Sequence, residues 1–216
     1  HAAREDPGFS RVLADGGDIA ARLQQAHDQH RSSCAIVINA LRDYGFDVRV
    51  VAGLRRRDAR ESDLIVTIGG DGTFLRASHC VESPTADSAL GGEAAGLDGP
   101  VKHADAVAAA LALPDHGTPM LGVNSSPETS IGFFCAATAA TIEAWLNRLR
   151  RGEIQTSPLW RMAVSIDGRR VDDLALNDVL VAHRVPAETT RYTLSVDGAS
   201  QRQKSSGVWI ATAAGS

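Results

Sequence analysis

An apolar run, Leu64-Ile65-Val66-Thr67-Ile68, gives way at once to Gly69-Gly70-Asp71-Gly72-Thr73 and then to Phe74-Leu75-Arg76-Ala77. This order reads as a buried strand, a tight glycine turn and the start of a helix. Three glycines leave backbone N–H groups unobstructed, so a phosphate can approach closely. The helix start behind them adds a partial positive charge. Asp71 stands in the middle of a loop that otherwise favours anions. An acid there weakens phosphate binding, so its chemistry is that of a proton acceptor or a metal holder. The alternative is a tight turn whose Asp caps the next helix.

The bulk properties narrow the function classes. A chain of 216 residues makes one large domain or two small ones, and 44% hydrophobic residues support a real core. A net charge of −4 offers no general attraction to nucleic acid or to an anionic membrane. Any phosphate binding must be local, through backbone amides and a few placed cations. No apolar run is long enough to span a bilayer. Cys34, Cys80 and Cys135 are odd in number and widely spaced. They argue against a disulfide framework or a zinc site and for a reducing compartment. The chain begins at His1 without a signal peptide, as a fragment or a processed chain would.

Along the first half, helix and strand signals alternate. Cys34 to Leu41 has helical apolar spacing and ends at Gly45; Phe46, Val48 and Val50 alternate as a strand. Leu64 to Ile68 is the next strand, a helix starts near Thr73, and Met120 to Val123 is a third strand. Strands separated by helices predict a parallel, Rossmann-like sheet. Between Cys80 and Pro119 the pattern loosens at Ser83-Pro84-Thr85, Gly91-Gly92 and Gly99-Pro100. This predicts an insertion at about residues 81–118, with one helix over Ala104 to Leu113. Lys102 and His103 are lid residues there or part of a solvated loop. Thr138 to Arg151 reads as a helix whose Ile142, Trp145, Leu146 and Leu149 share a face, with Gly152 as the stop. Residues 1–152 are thus expected to form an α/β nucleotide-binding domain.

After Gly152 the character changes. Leu159 to Ile166 ends at Asp167-Gly168, and Thr190 to Val196 ends at Asp197-Gly198, both hairpin signals. Leu174, Leu176, Val179 and Val181 fill another strand region, and Val208-Trp209-Ile210 begins a last one. Residues 153–216 therefore read as an all-β domain.

Three further stretches join the glycine loop. Leu121-Gly122-Val123-Asn124 precedes Ile131-Gly132-Phe133-Phe134, and Leu176-Asn177-Asp178-Val179 lies in the β half. Gln203-Lys204-Ser205-Ser206-Gly207 leads into Thr212-Ala213-Ala214-Gly215-Ser216. In this order they resemble the ATP-dependent NAD kinases, from about Gln25 to the end apart from the insertion. Asn124 to Glu128 and Lys204 to Gly207 resemble the branch of mitochondrial NAD kinases and plant NADH kinases.

The resemblance implies an α/β domain and a β-rich domain that together supply the active site. It implies transfer of the ATP γ-phosphoryl group to the 2′-hydroxyl of the adenosine ribose of NAD+ or NADH, giving NADP(H). Asp71 matches the catalytic position. Gly69, Gly70, Gly72 and Thr73, with Gly215 and Ser216, match the phosphate-binding motifs. Asn177 and Asp178 match the pair that holds the dinucleotide, with a β-turn as the alternative. Phe133 matches an aromatic near the bound dinucleotide, or packs in the core with Phe134. Asn124 ends a strand, where ligands of α/β sheets bind, or is a turn-forming Asn. Asp178 replaces the family's usual Glu and is shorter by one methylene; Ser206 stands where many members have an acid. Mg2+ is expected to arrive with ATP, without a dedicated cage of protein ligands. The resemblance also implies a homo-oligomer inside the cell, in the cytoplasm, a mitochondrion or a plastid. The family's chain continues past Ser216, so the β domain is expected to be incomplete, with exposed edges and little turnover. Two alternatives stay open: a lipid kinase of the diacylglycerol or sphingosine type, and a non-catalytic nucleotide-binding module.

Overall fold

A computed structural model of the chain describes residues 17–82, 117–185 and 187–215. The chain divides into two compact units, His1–Thr156 and Ser157–Ser216. Of the expected insertion, Lys102, His103 and the helix over Ala104 to Leu113 lie outside the described residues, as does Ser216.

The described part of the first unit runs α1 (Asp18–Asp43), α2 (Arg56–Arg60), β1 (Ile65–Gly69), α3 (Asp71–Ser78), β2 (Met120–Asn124), β3 (Cys135–Thr138) and α4 (Ile142–Arg150). The strands form a parallel sheet in the order β1-β2-β3, with Gly69 opposite Asn124. β2 is central and buried along almost its whole length, which suits Leu121, Gly122 and Val123 and leaves Asn124 as a buried polar end. Helix α1 contributes Val37, Ala40 and Leu41 to the core, and α4 contributes Ile142, Leu146 and Leu149. They close on Leu121, Val123 and Ala137 of the sheet. Trp145 packs half-buried against this cluster, as the helical face predicts.

Three expectations change. Helix α1 begins well before Cys34; the apolar residues of its first turns, among them Ile19, Ala20 and Leu23, are sparse among polar ones and mark the helix only weakly. The helix expected from Thr138 starts at Ile142, and Cys135–Thr138 is instead a strand on the open edge of β2. Sheet pairing takes Thr138, and Ala139 to Thr141 form a turn before the helix. The segment at Phe46, Val48 and Val50 carries no strand assignment. Alternation makes a chain extended, but a ladder also needs a partner. Phe46 to Leu54 instead line a cavity of about 1510 Å³ together with Ser62 to Ile68.

The second unit is antiparallel. β4 (Ser165–Ile166) pairs with β5 (Arg169–Arg170), β6 (Asp178–Val181) with β9 (Val208–Ala211), and β7 (Thr190–Val196) with β8 (Ala199–Ser205). Both Asp-Gly turns have positive φ at both residues, +50° and +75° at Asp167-Gly168 and +48° and +82° at Asp197-Gly198. That is the backbone a two-residue hairpin of right-handed twist demands. Of the strand expected over Leu159 to Ile166, only Ser165–Ile166 forms a hairpin, with an isolated bridge from Met162 to Ala175. The architecture is thus an α/β unit with a parallel sheet, followed by small antiparallel sheets.

Candidate active site

β1 delivers its last residue, Gly69, to the turn; Gly70 caps α3 and Asp71 is the first helical residue. The Asp71 carboxylate is gripped from outside its own helix. Phe133 N–H donates to Oδ2 at 3.0 Å and Phe134 N–H donates to Oδ1 at 2.8 Å. Two charge-assisted bonds fix the plane of the carboxylate. A carboxylate offers about four lone-pair positions, so roughly two stay open for another donor.

The loop that supplies these amides is itself tied down. Asn124 is 4% exposed. Its Nδ2 donates to the Ser130 carbonyl at 2.8 Å, and its Oδ1 accepts from Ser126 N–H at 3.0 Å. Both ends of Asn124 thus shape the loop, the turn-forming role open to an Asn at a strand end. Ser125 N–H donates to the Gly69 carbonyl at 3.2 Å, joining loop and glycine turn directly. From α1, Ser33 Oγ donates to the Ser125 carbonyl at 3.1 Å, and His30 Nδ1 lies 3.0 Å from Ser125 Oγ. Phe134 stacks on Phe74, centroids 5.3 Å apart, and Phe133 meets Phe134 edge-on at 5.1 Å. Phe133 remains 68% exposed, an aromatic surface beside the Asp71 clamp.

The cavity beside β1 takes in Gly70, Gly72, Thr73 and Arg76, with His30 and Cys34. Asp71 is not among its lining residues. The glycine turn therefore shows one side to the cavity and extends its carboxylate to the Phe133 loop.

In the second unit, Asn177, Asp178 and Gly215 come together. Asn177 Nδ2 donates to Asp178 Oδ2 at 3.1 Å, and the Asn177 carbonyl accepts from Thr212 N–H at 2.9 Å. Gly215 lies against the Asn177 backbone so closely that a Cβ would collide with its carbonyl. Among the described residues, no group of three His, Cys, Asp or Glu is arranged to hold a metal ion. No described helix is long and apolar enough to cross a membrane.

Residues 10–85 match the model of the ATP-NAD kinase N-terminal domain. A "Probable NADH kinase" of Oryza sativa subsp. japonica is 33% identical over 175 residues, covering 71% of this chain and 44% of the relative. "NAD kinase 2, mitochondrial" of Rattus norvegicus is 25% identical over 265 residues, covering 100% of this chain and 54% of the relative. "NAD kinase" of Methanopyrus kandleri is 29% identical over 158 residues, covering 73% of this chain and 44% of the relative. The chain belongs to the NAD kinase family. It spans about half the length of the curated relatives it matches.

In this member of the NAD kinase family, Ser33 and His30 support the candidate site but escaped the sequence reading, while Phe134 and Ser125 stood in the quoted motifs without a site role. His30 and Ser33 precede Val37 on one helical face, a spacing that places them over the loop. Cys135 is a further neighbour. Burial, and secondarily the charge of Asp71, push its thiol above the usual range. A nearby negative charge disfavours a thiolate, so neutralising Asp71 should lower the Cys135 pKa and speed its alkylation. Iodoacetamide labelling followed by peptide mass spectrometry should show faster modification of Cys135 in Asp71→Asn than in the wild type. An unchanged or slower rate would remove Asp71 from the electrostatic surroundings of this thiol.

Proposed function

We propose that the chain carries the catalytic centre of an NAD(H) kinase. The observation that carries the reading is the Asp71 carboxylate, fixed by two backbone amides at the head of the helix that follows the glycine turn. A ribose hydroxyl is a poor nucleophile at neutral pH, and a carboxylate of fixed orientation beside it accepts its proton as the new bond forms. In the proposed reaction the ribose O2′ bonds to the γ-phosphorus of ATP, the bond from that phosphorus to the bridging oxygen breaks, and ADP leaves. The 2′-hydroxyl proton passes to Asp71. Amides of the glycine turn stabilise charge on the phosphoryl oxygens. Mg2+ enters with ATP as part of the substrate.

The exposed Phe133 ring offers a stacking surface to the dinucleotide, and Asn177 and Asp178 offer hydrogen-bonding groups to it. Gly215, packed against the Asn177 backbone, belongs to the same proposal, as does Ser216 by sequence position. An intracellular address and a homo-oligomeric state are also carried over from the family.

Isothermal titration of the chain with NAD+, NADH and Mg-ATP, together with an NADP(H) formation assay, tests this. Weak binding of dinucleotide and ATP, with little NADP(H) formation, is the expected result. Binding without turnover would make the chain a nucleotide-binding module. Phosphorylation of a lipid alcohol in place of NAD(H) would move it to the lipid kinases.

A further inference from the structure

We propose that Arg76 is a phosphate-binding residue for the donor, holding the terminal phosphates of ATP in the cavity beside β1. This assignment rests on the NAD(H) kinase reading above and specifies which side of the glycine turn receives each substrate.

The cavity, about 1510 Å³, is large enough for a nucleotide. One wall carries Gly70, Gly72, Thr73 and Arg76. Gly72 and Arg76 are four residues apart on α3, and Thr73 and Arg76 are three apart, so the three share one face of the helix. Nothing lies within 4 Å of where a Gly72 side chain would begin, so a ligand can come up to the backbone there. The cavity is also lined by Arg49 and by the carboxylates Asp47, Glu61 and Asp63, and the Arg49 guanidinium pairs with Asp58 at 3.3 Å and Glu61 at 3.1 Å. Arg76 has no ion pair or hydrogen-bonded partner among the described residues. Among the described residues it is the guanidinium of this wall that has no partner.

The other side of the turn has a different chemistry. There the Asp71 carboxylate meets the Phe133 and Phe134 amides, and Phe133 is exposed. A carboxylate repels a polyphosphate but suits a hydroxyl, and an aromatic face suits a planar base. Within the cavity the donor phosphates are assigned to the glycine-turn wall that carries Arg76, not to the segments that carry Asp47, Glu61 and Asp63, and the acceptor ribose is assigned to the Asp71 side. The γ-phosphoryl group crosses the turn where the two sides meet, at Gly70-Asp71-Gly72. A guanidinium is suited to this task because its fork of N–H donors matches phosphate oxygens.

Calorimetric titration of wild type, Arg76→Gln and Arg76→Lys with inorganic tripolyphosphate, Mg-ATP and NAD+ tests the assignment. Arg76 is exposed, so neither substitution disturbs the core. Loss of the guanidinium should weaken tripolyphosphate and ATP by about tenfold or more, with NAD+ changed less than about twofold. Lysine should restore part of the loss, because it keeps the charge and not the fork. Unchanged ATP and tripolyphosphate affinities in Arg76→Gln would overturn the Arg76 assignment alone, as would an equal loss for NAD+. A wild-type chain that binds neither ATP nor NAD+ would overturn this assignment and the kinase reading together.

Discussion

Asp71→Asn should leave a folded chain that forms NADP(H) about 10²–10⁴-fold more slowly than the wild type, the usual effect of removing a general base. Asparagine has nearly the same shape and cannot accept the proton. The structure adds a second consequence. Both carboxylate oxygens accept backbone N–H groups, from Phe133 and Phe134. An asparagine keeps one acceptor and turns an NH2 group toward the other amide, so one of the two bonds is lost. Leaving that amide without its partner costs about 1–3 kcal/mol where it is buried, and less where water reaches it. Loss of activity therefore has two separable sources: a missing base and a loosened loop. Amide hydrogen exchange at Phe133 and Phe134 separates them. A base role requires that the rate fall far more than the loop's exchange protection. Near-normal turnover in the well-folded variant would exclude Asp71 as the base, and a rate loss that merely follows loop opening would make it a clamp.

This double duty shows what could be read in the chain and what could not. The strand-turn-helix at residues 64–77 was legible because three local signals agree: an apolar run, clustered glycines and a helix start. The Asp-Gly hairpins were legible for a similar reason, since the turn needs two residues that tolerate positive φ. The partner of Asp71 was not. Phe133 and Phe134 act there through backbone N–H groups, which every residue except proline carries, and their contact spans 62 and 63 positions of chain. Nothing in their side chains announces it. Asn124 was visible as a polar residue at a strand end, but its sequence could not tell a ligand contact from a turn. In the structure its amide is used by Ser126 and Ser130. β3 was missed because Cys135-Ala136-Ala137-Thr138 is too short to show a period and takes its form from the edge of β2.

Gly122→Ala should be among the most damaging single-methyl additions to the first unit, although position 122 touches no proposed substrate. Gly122 lies in the central strand and pairs with Cys135 of β3. A Cβ there would overlap the Phe134 carbonyl oxygen and lie 3.0 Å from the Cys135 Cα and 3.1 Å from the Phe134 carbonyl carbon. All three atoms are backbone, so no rotamer change relieves the overlap. β3 has to move away from β2, and the chain immediately before it carries the two amides that hold Asp71. Overpacking of this kind costs about 1–3 kcal/mol, and a rigid backbone neighbour favours the upper end. The expected result is a lower denaturant midpoint, with hydrogen-exchange protection lost first at Phe133, Phe134 and Cys135. Those amides should open before the β1–β2 pairing, whose register from Ile65↔Met120 to Gly69↔Asn124 does not depend on β3. An unchanged midpoint would show that β2 and β3 do not pack as closely as this register requires. A uniform loss of protection across all three strands would show instead that β3 is integral to the sheet's stability. In that case the loop and its grip on Asp71 could not be loosened without unfolding the unit.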